Sequence, residues 1–217
     1  SAYENAKSIE QGANLKKFTS LIDGASNQLT SDLINSAVEL NGKEKYADAS
    51  KLLYLAYSLD KADNLEYLYY AASSAVNAGD YENALGYYMT LKEKNYTGIT
   101  KKFFATEVAT GEESEVDETT YNIYKKSKDF TSLREDFTES RLPEIVKNIA
   151  LIHVANGDND AAMVAIKSAR KLSPKDVGLI LTEADLYIKL GDEARFGTLM
   201  QEAITQDPNN AILYYFD

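Results

Sequence analysis

Apolar and small residues recur at three- and four-residue spacing along most of the chain, a pattern that predicts a succession of amphipathic helices. Three segments share one arrangement: residues 78–96, 156–174 and 190–208. Each contains a Gly-Asp pair, a small or apolar residue five positions after the glycine, and further ones nine and twelve positions after it. This self-similarity predicts a repeated pair of helices joined by a tight turn.

The glycines of these pairs set the period. Gly157 and Gly191 are 34 residues apart, whereas Gly79 and Gly157 are 78 apart, which exceeds one period by 44. A 34-residue helix–turn–helix unit with one insertion of 44 residues explains both spacings. A weaker copy precedes them, because Ala49 lies 35 residues before Ala84. Glycine ends a helix in the left-handed conformation at low cost, and the aspartate after it can cap the next helix.

The unit resembles the tetratricopeptide repeat, whose two helices carry small residues at positions 8, 20 and 27 and large ones at positions 4, 11 and 24. Aligned copies begin at Thr30, Leu65, Pro143 and Val177. The small positions hold Ala72, Ala84, Ala150, Ala162, Ala169, Ala184 and Ala203. Two residues of the last copy depart from the family pattern, Glu183 at position 7 and Phe196 at position 20, which predicts less tight packing there.

The resemblance implies an all-α fold, a right-handed superhelix of stacked helical hairpins. The alignment divides the chain into a partial repeat (1–29), two repeats (30–96), an insertion (97–140), two more repeats (141–208) and the start of a further helix (209–217). Their order and the ending DPNNAILYY resemble, more narrowly, secreted or envelope tetratricopeptide-repeat proteins of Gram-negative bacteria. Both ends read as truncated repeats, and Ser1 is not preceded by an initiator methionine, so we expect a longer natural protein.

The insertion does not follow the 34-residue pattern. Its partial alternation predicts a β-hairpin, Phe103–Val108 with Glu112–Val116, around a turn at Gly111. A helix is predicted around Glu118–Lys128. A lone hairpin is marginally stable in water, so it must pack on the helices or pair with a partner strand, and both remain open.

Composition argues against several kinds of chemistry. With 23 Lys and Arg against 34 Asp and Glu, the formal net charge is −11, which repels nucleic-acid phosphates. The absence of cysteine excludes disulfides and thiolate sites, and a single histidine, His153, argues against a histidine zinc site. Phosphate-loop and calcium-loop spacings are missing, and no apolar run approaches the ~20 residues of a membrane span. We expect no catalytic residue, cofactor or metal.

In the tetratricopeptide-repeat family, positions 2, 5, 9, 12 and 13 of each first helix line a concave groove. The resemblance therefore implies a protein-binding groove formed by Glu66, Tyr69, Ser73, Asn77, Lys147, Leu151, Leu181, Asp185 and Lys189, with Ile34, Val38 and Asn41 from the first repeat. Tyrosine suits a binding surface but also packs in cores, so groove contact by Tyr69, and less so by Tyr70, stays open. The family's carboxylate clamp needs Lys and Asn at positions 5 and 9, and here Leu151 follows Lys147, which disfavours chaperone tails.

These observations favour a non-enzymatic scaffold that binds a peptide or protein segment of unknown identity in the groove. One alternative is envelope glycan binding, although the chain lacks tryptophan for an aromatic platform. Another is the regulatory repeat region of a larger protein. From the resemblance and the lack of cysteine we expect a periplasmic or otherwise secreted location, with the cytoplasm as the alternative. The oligomeric state does not follow from the sequence.

Overall fold

Stacked helical hairpins make up most of the structure, a computed structural model that describes residues 2–13, 18–210 and 213. The chain forms two compact units. The helical unit comprises Ser1–Tyr96 and Pro143–Asp217, and the inserted unit comprises Thr97–Leu142.

Apart from α1 and the helix of the inserted unit, the helices alternate between the first and second members of each repeat. In chain order they are α1 (Ala2–Gly12), α2 (Thr19–Gly42), α3 (Tyr46–Leu59), α4 (Leu65–Asn77), α5 (Tyr81–Glu93), α6 (Glu118–Tyr124), α7 (Leu142–Ala155), α8 (Asn159–Leu172), α9 (Val177–Lys189) and α10 (Glu193–Gln206). The first helices are α2, α4, α7 and α9, and α2 extends back well beyond the predicted repeat start at Thr30. The helix predicted over 209–217 falls outside the described residues except at 209, 210 and 213.

Equivalent turns join the two helices of the last three repeats. Their glycines are in the left-handed region, which costs an L side chain roughly 1–2 kcal/mol. They are Gly79, Gly157 and Gly191, with φ of +74°, +74° and +75°. The aspartate after each glycine caps the next helix by accepting a hydrogen bond from the backbone N–H three residues further on. These caps are Asp80, Asp158 and Asp192, at 3.2, 3.1 and 3.1 Å.

One buried cluster runs through α3, α4, α5, α7, α8 and α9, so the core is continuous across the insertion point. Its alanines, among them Ala72, Ala84, Ala150 and Ala162, are fully buried, which lets the helix axes approach closely. Larger residues such as Tyr88 and Ile166 fill the space between helices. A second cluster, the C-terminal core, lies between α9 and α10.

The two departures in the last repeat are both accommodated. Glu183 is buried, but its carboxylate accepts a hydrogen bond from the Arg170 guanidinium of α8 at 2.6 Å. Phe196 packs against the C-terminal core. Glu183 is thus buried together with a cationic partner, and the Phe196 side chain contacts the C-terminal core.

The inserted unit is a three-stranded antiparallel sheet with one short helix. Its strands are β1 (Lys101–Glu107), β2 (Glu113–Val116) and β3 (Phe130–Phe137), in the order β2-β1-β3. The predicted hairpin corresponds to β1 and β2, joined by a turn in which Gly111 has φ of +74°. The sequence did not predict β3, which takes the second edge of β1, and α6 is shorter than the predicted helix.

The two faces of this sheet differ. On one face Phe103 packs against Tyr121 of α6, with ring centroids 4.9 Å apart. On the other, the Arg134 guanidinium lies 4.1 Å from the centroid of the Phe104 ring and pairs with Glu113 at 2.9 Å. Glu115 of β2 likewise pairs with Lys102 of β1 at 2.8 Å, so two acidic residues of β2 meet basic partners across the strands.

Candidate protein-binding groove

A cavity of about 470 Å³ opens between the first helices of the first two repeats, α2 and α4. We call it the α2–α4 groove. It is lined by Ile34, Val38, Asn41, Tyr46, Leu53, Glu66, Tyr67, Tyr70, Ser73, Ser74 and Asn77. Its size lies within the range of about 300–1,000 Å³ that is usual for ligand sites.

The floor of the groove is fixed by buried contacts. Leu53 of α3 is buried there, and Ser74 Oγ of α4 donates a hydrogen bond to Asn41 Oδ1 of α2 at 3.1 Å. Ser50 Oγ of α3 donates to the carbonyl of Ala71 at 2.9 Å, which ties α3 to α4. These contacts hold α2, α3 and α4 together beneath the groove.

The walls combine exposed apolar surface with polar groups, one of which is a carboxylate. Val38 is 65% exposed on α2, and Tyr70 is exposed on α4. The Tyr70 hydroxyl donates a hydrogen bond to Glu66 Oε1 at 3.1 Å, so one wall presents an aromatic ring with a tethered carboxylate. Such a surface suits an apolar side chain whose backbone can bond to amides and hydroxyls at the rim.

Six of the sequence-predicted groove residues meet in this groove. They are Glu66, Ser73 and Asn77 of α4 and Ile34, Val38 and Asn41 of α2. Sequence analysis missed four lining residues: Tyr46 and Leu53 belong to a second helix, and Tyr67 and Ser74 occupy unmarked positions of α4.

Tyr69 does not line the groove. It is only 8% exposed, and its hydroxyl donates to Glu144 Oε2 of α7 at 2.8 Å. Nearby, Asn148 of α7 donates to the Tyr88 hydroxyl at 3.1 Å. Burial and the charge of Glu144 raise the pKa of Tyr88 to about 12. These bonds join the second repeat to the third, so Tyr69 belongs to the contact between these two repeats.

Lys147 also lies at a contact between repeats, in this case the third and the fourth. Its ammonium pairs with Asp176 Oδ2 at 2.9 Å, and Asp176 caps α9 by accepting from the backbone N–H of Leu179. Burial raises the pKa of the Asp176 carboxyl, but the Lys147 hydrogen bond and the Leu179 N–H lower it more, so it stays below its ordinary value of 3.8. A Cβ on Gly178 would lie 3.4 Å from the Lys147 ammonium, so glycine leaves room for this pair.

The remaining predicted residues are separate from the α2–α4 groove. Leu151 is exposed on α7, and Leu181 is half-buried against the C-terminal core. Asp185 and Lys189 are exposed on α9. The described contacts and cavities do not bring these four side chains into one site with the groove.

The described residues contain no group of three His, Cys, Asp or Glu side chains that could hold a metal ion. His153 is half-buried, with Nδ1 3.8 Å from Asp158 Oδ2. No helix within those residues is both long and apolar enough to span a bilayer.

Comparison with known proteins identifies the repeats. Residues 153–215 match the family model of the tetratricopeptide repeat. The chain contains tetratricopeptide repeats. No curated protein matches its sequence. The family is in general one of non-catalytic scaffolds for protein–protein interaction, and that role is the one its fold suggests here.

Solved structures share the tetratricopeptide-repeat fold over most of the chain. A tetratricopeptide repeat protein from Parabacteroides merdae aligns with a TM-score of 0.60 at 13% identity, over 87% of this chain and 57% of its own. MamA aligns with 0.56 at 12% identity, over 84% and 81%. A chain of the APC/C hetero-tetramer Cut9–Hcn1 aligns with 0.51 at 14% identity, over 86% and 28%. This chain thus spans little more than half of the first of these proteins.

Proposed function

We propose that this chain is a non-enzymatic scaffold that holds a peptide or protein segment in the α2–α4 groove. The observation that carries the proposal is the groove itself, a preformed cavity between two first helices with apolar side chains at its mouth. An exposed apolar surface rimmed by polar groups is typical of an interaction site.

The fold supports the proposal. The aligned Cut9–Hcn1 structure is an assembly of several protein chains, which is consistent with an interaction role for this kind of array. In a stacked array the first helices of neighbouring repeats lie side by side, so a groove between them is continuous with the rest of that surface. A bound segment can therefore extend beyond the groove in either direction.

The test is a selection of random displayed peptides on the intact chain, followed by affinity measurements on synthetic copies. The decisive variant is Val38→Lys, which places an ammonium on the groove wall. We expect binding to weaken at least about tenfold, a loss of about 1.4 kcal/mol, because the apolar contact is replaced by a group that must be desolvated. Helical circular dichroism should be unchanged, since Val38 is mostly exposed.

A matched control is available on α8. Val164 is 72% exposed and lies outside the groove, so Val164→Lys makes the same chemical change elsewhere. We expect its affinity to stay within a factor of about two of the original. Peptides that bind the Val38→Lys and Val164→Lys variants equally well would contradict the proposed site.

We also propose a periplasmic or otherwise secreted location, supported by the lack of cysteine and by the resemblance to envelope proteins. Fractionation of the producing cell, with immunodetection of the chain, tests this. Recovery with the cytoplasmic proteins would contradict it.

A further inference from the structure

We propose that the segment bound in the α2–α4 groove is basic, with an apolar anchor side chain in the groove and Lys or Arg beside it. This inference rests on the proposed function and adds the chemistry of the partner. It follows from the distribution of charge around the groove, which is not the mixed distribution found elsewhere in the array.

The two helices that form the walls of the groove, α2 and α4, contain only acidic residues among their charged side chains. The sequence of α2 contains Asp23, Asp32 and Glu39, that of α4 contains Glu66, and neither helix contains Lys or Arg. Glu39 pairs with Lys43, which follows α2 at the far end of that helix. Glu66 is the one charged side chain among the described residues that line the groove, so an acidic partner would be repelled there and a basic one attracted.

A second cavity of about 330 Å³ adjoins the groove across the Tyr67 side chain, which lines both. Its lining is polar and includes the carboxyls of Asp23, Asp60 and Asp63, with no Lys or Arg among the described residues that line it. Asp60 also accepts hydrogen bonds from two backbone N–H groups of its own loop. Lys61 belongs to the same loop but lines neither cavity.

The opposite end of the groove is different. Beyond Tyr46 and Asn77, a further cavity is lined by Glu44, Lys45 and Asp48, so both signs of charge are present there. The groove therefore has an acidic end at the α3–α4 loop and a mixed end at the α2–α3 loop. A segment anchored in the groove would place its basic residue at the acidic end.

Apolar anchoring and charge act differently on binding. The cavity supplies an enclosed apolar contact, and this contact is what makes the surface a site. Exposed carboxylates contribute modest attraction that falls with ionic strength, because the Debye length shrinks from roughly 10 Å at 0.1 M to about 3 Å at 1 M salt. A peptide that uses both features should bind more weakly as the salt concentration rises. At high salt its affinity should still depend on the apolar anchor side chain.

The experiment uses capped synthetic peptides with one central phenylalanine in a Gly/Ser background. Lys, Ser or Glu occupies the positions on both sides of the anchor, so binding in either direction is sampled. Fluorescence anisotropy on the intact chain is expected to rank the affinities Lys above Ser above Glu. The Lys peptide should bind about tenfold more tightly than the Glu peptide at low salt, and the difference should narrow at high salt.

Two variants at one position separate this inference from the proposed function. Val38→Lys removes the apolar contact and adds repulsion, whereas Val38→Glu removes the same contact and adds attraction. We expect the Lys peptide to lose more affinity with Val38→Lys than with Val38→Glu. Equal losses would overturn the basic partner but leave the groove as the site. No loss with either variant would overturn both.

The acidic end has its own matched pair. Asp63 is exposed in the second cavity and Asp160 is exposed on α8, so Asp63→Asn and Asp160→Asn change the net charge equally. We expect only Asp63→Asn to weaken the Lys peptide, by about threefold, and to leave the Ser peptide unchanged. Equal effects of the two variants, or equal binding of all three peptides, would overturn the inference.

Discussion

The substitution Arg170→Met removes the cation of a partly buried ion cluster that joins three helices. Arg170 of α8 donates through Nη1 to Glu183 of α9 at 2.6 Å and through Nη2 to Glu202 of α10. Burial lowers the pKa of the Arg170 guanidinium, but the hydrogen bonds and charges of the two glutamates outweigh it and hold that pKa above its ordinary value. The cluster therefore links the third repeat to both helices of the fourth.

The magnitude follows from what the substitution leaves behind. Without Arg170, the buried Glu183 carboxylate loses its cation, and breaking such pairs costs roughly 3–5 kcal/mol. The Arg170 side chain is 16% exposed, so we expect the lower end, about 3 kcal/mol. A chain of this length should then melt lower by roughly 6–12 °C. Adding Glu183→Leu, which places an apolar residue at position 7, should restore about 2 kcal/mol or more.

Urea unfolding followed by far-UV circular dichroism measures these differences, and hydrogen exchange at the amides of α9 and α10 locates them. The control is Arg195→Met, since Arg195 is 63% exposed and pairs with Asp192 at 3.2 Å. We expect the control to cost less than about 1 kcal/mol. If Arg170→Met costs no more than the control, or if the double variant is less stable than Arg170→Met, the buried-pair explanation is refuted.

Three further predictions concern turns and titrating groups. Gly157→Ala should cost roughly 1–2 kcal/mol because φ there is +74°, whereas Gly86→Ala inside α5 should stabilise by roughly 0.5–1 kcal/mol, both measured by urea unfolding. Tyr88→Phe leaves the Asn148 amide without its acceptor and should cost about 1 kcal/mol of stability. Because the pKa of Tyr88 is raised to about 12, the original chain should also lose stability between pH 10 and 12, and the variant should lose less over that range. Asp176→Asn should reduce the loss of stability below pH of about 4, because the lowered pKa of this carboxyl stabilises the fold only while it is ionised.

The repeats could be predicted from the sequence because the residues that define their turns depend on local geometry. Gly157 and Gly191 adopt one left-handed conformation, and the aspartates after them make one capping bond, whatever lies elsewhere in the chain. A residue type that a turn demands reappears at each turn, so its period is visible in the sequence. The same holds for the buried alanines, because close helix packing admits only small side chains.

The residues of the groove could be predicted from the sequence only in part. Tyr69 and Tyr70 are neighbours on α4 and point about 100° apart, so the alignment alone could not decide which one faces solvent. The structure shows that Tyr69 meets Glu144, 75 residues away in sequence, and that Tyr70 is left at the groove. Lys147 behaves like Tyr69, because Asp176 lies where an inter-repeat ion pair can form. Partners distant in sequence decided both positions.

The third strand of the inserted unit, β3, could not be predicted from the sequence because it too depends on a partner distant in sequence. The β3 sequence FTSLREDF has little apolar alternation, and Ser132 within it has a positive φ of 49°. Local propensity therefore does not favour a strand there. It forms because β1 offers a second edge, to which β3 pairs with a register shift between Phe104 and Thr106.

The position of the insertion also has a physical explanation. In a stacked array each repeat contacts only its neighbours, so added residues are tolerated wherever they leave the contact between adjacent repeats intact. Here the second and third repeats keep their own bonds, from Tyr69 to Glu144 and from Asn148 to Tyr88, and they share one buried cluster. The two ends of the inserted unit meet, since the Arg141 N–H donates to the Thr97 carbonyl at 2.7 Å. The first and last residues of the inserted unit therefore lie next to each other, and α5 and α7 contribute to one buried cluster although the insertion separates them in sequence.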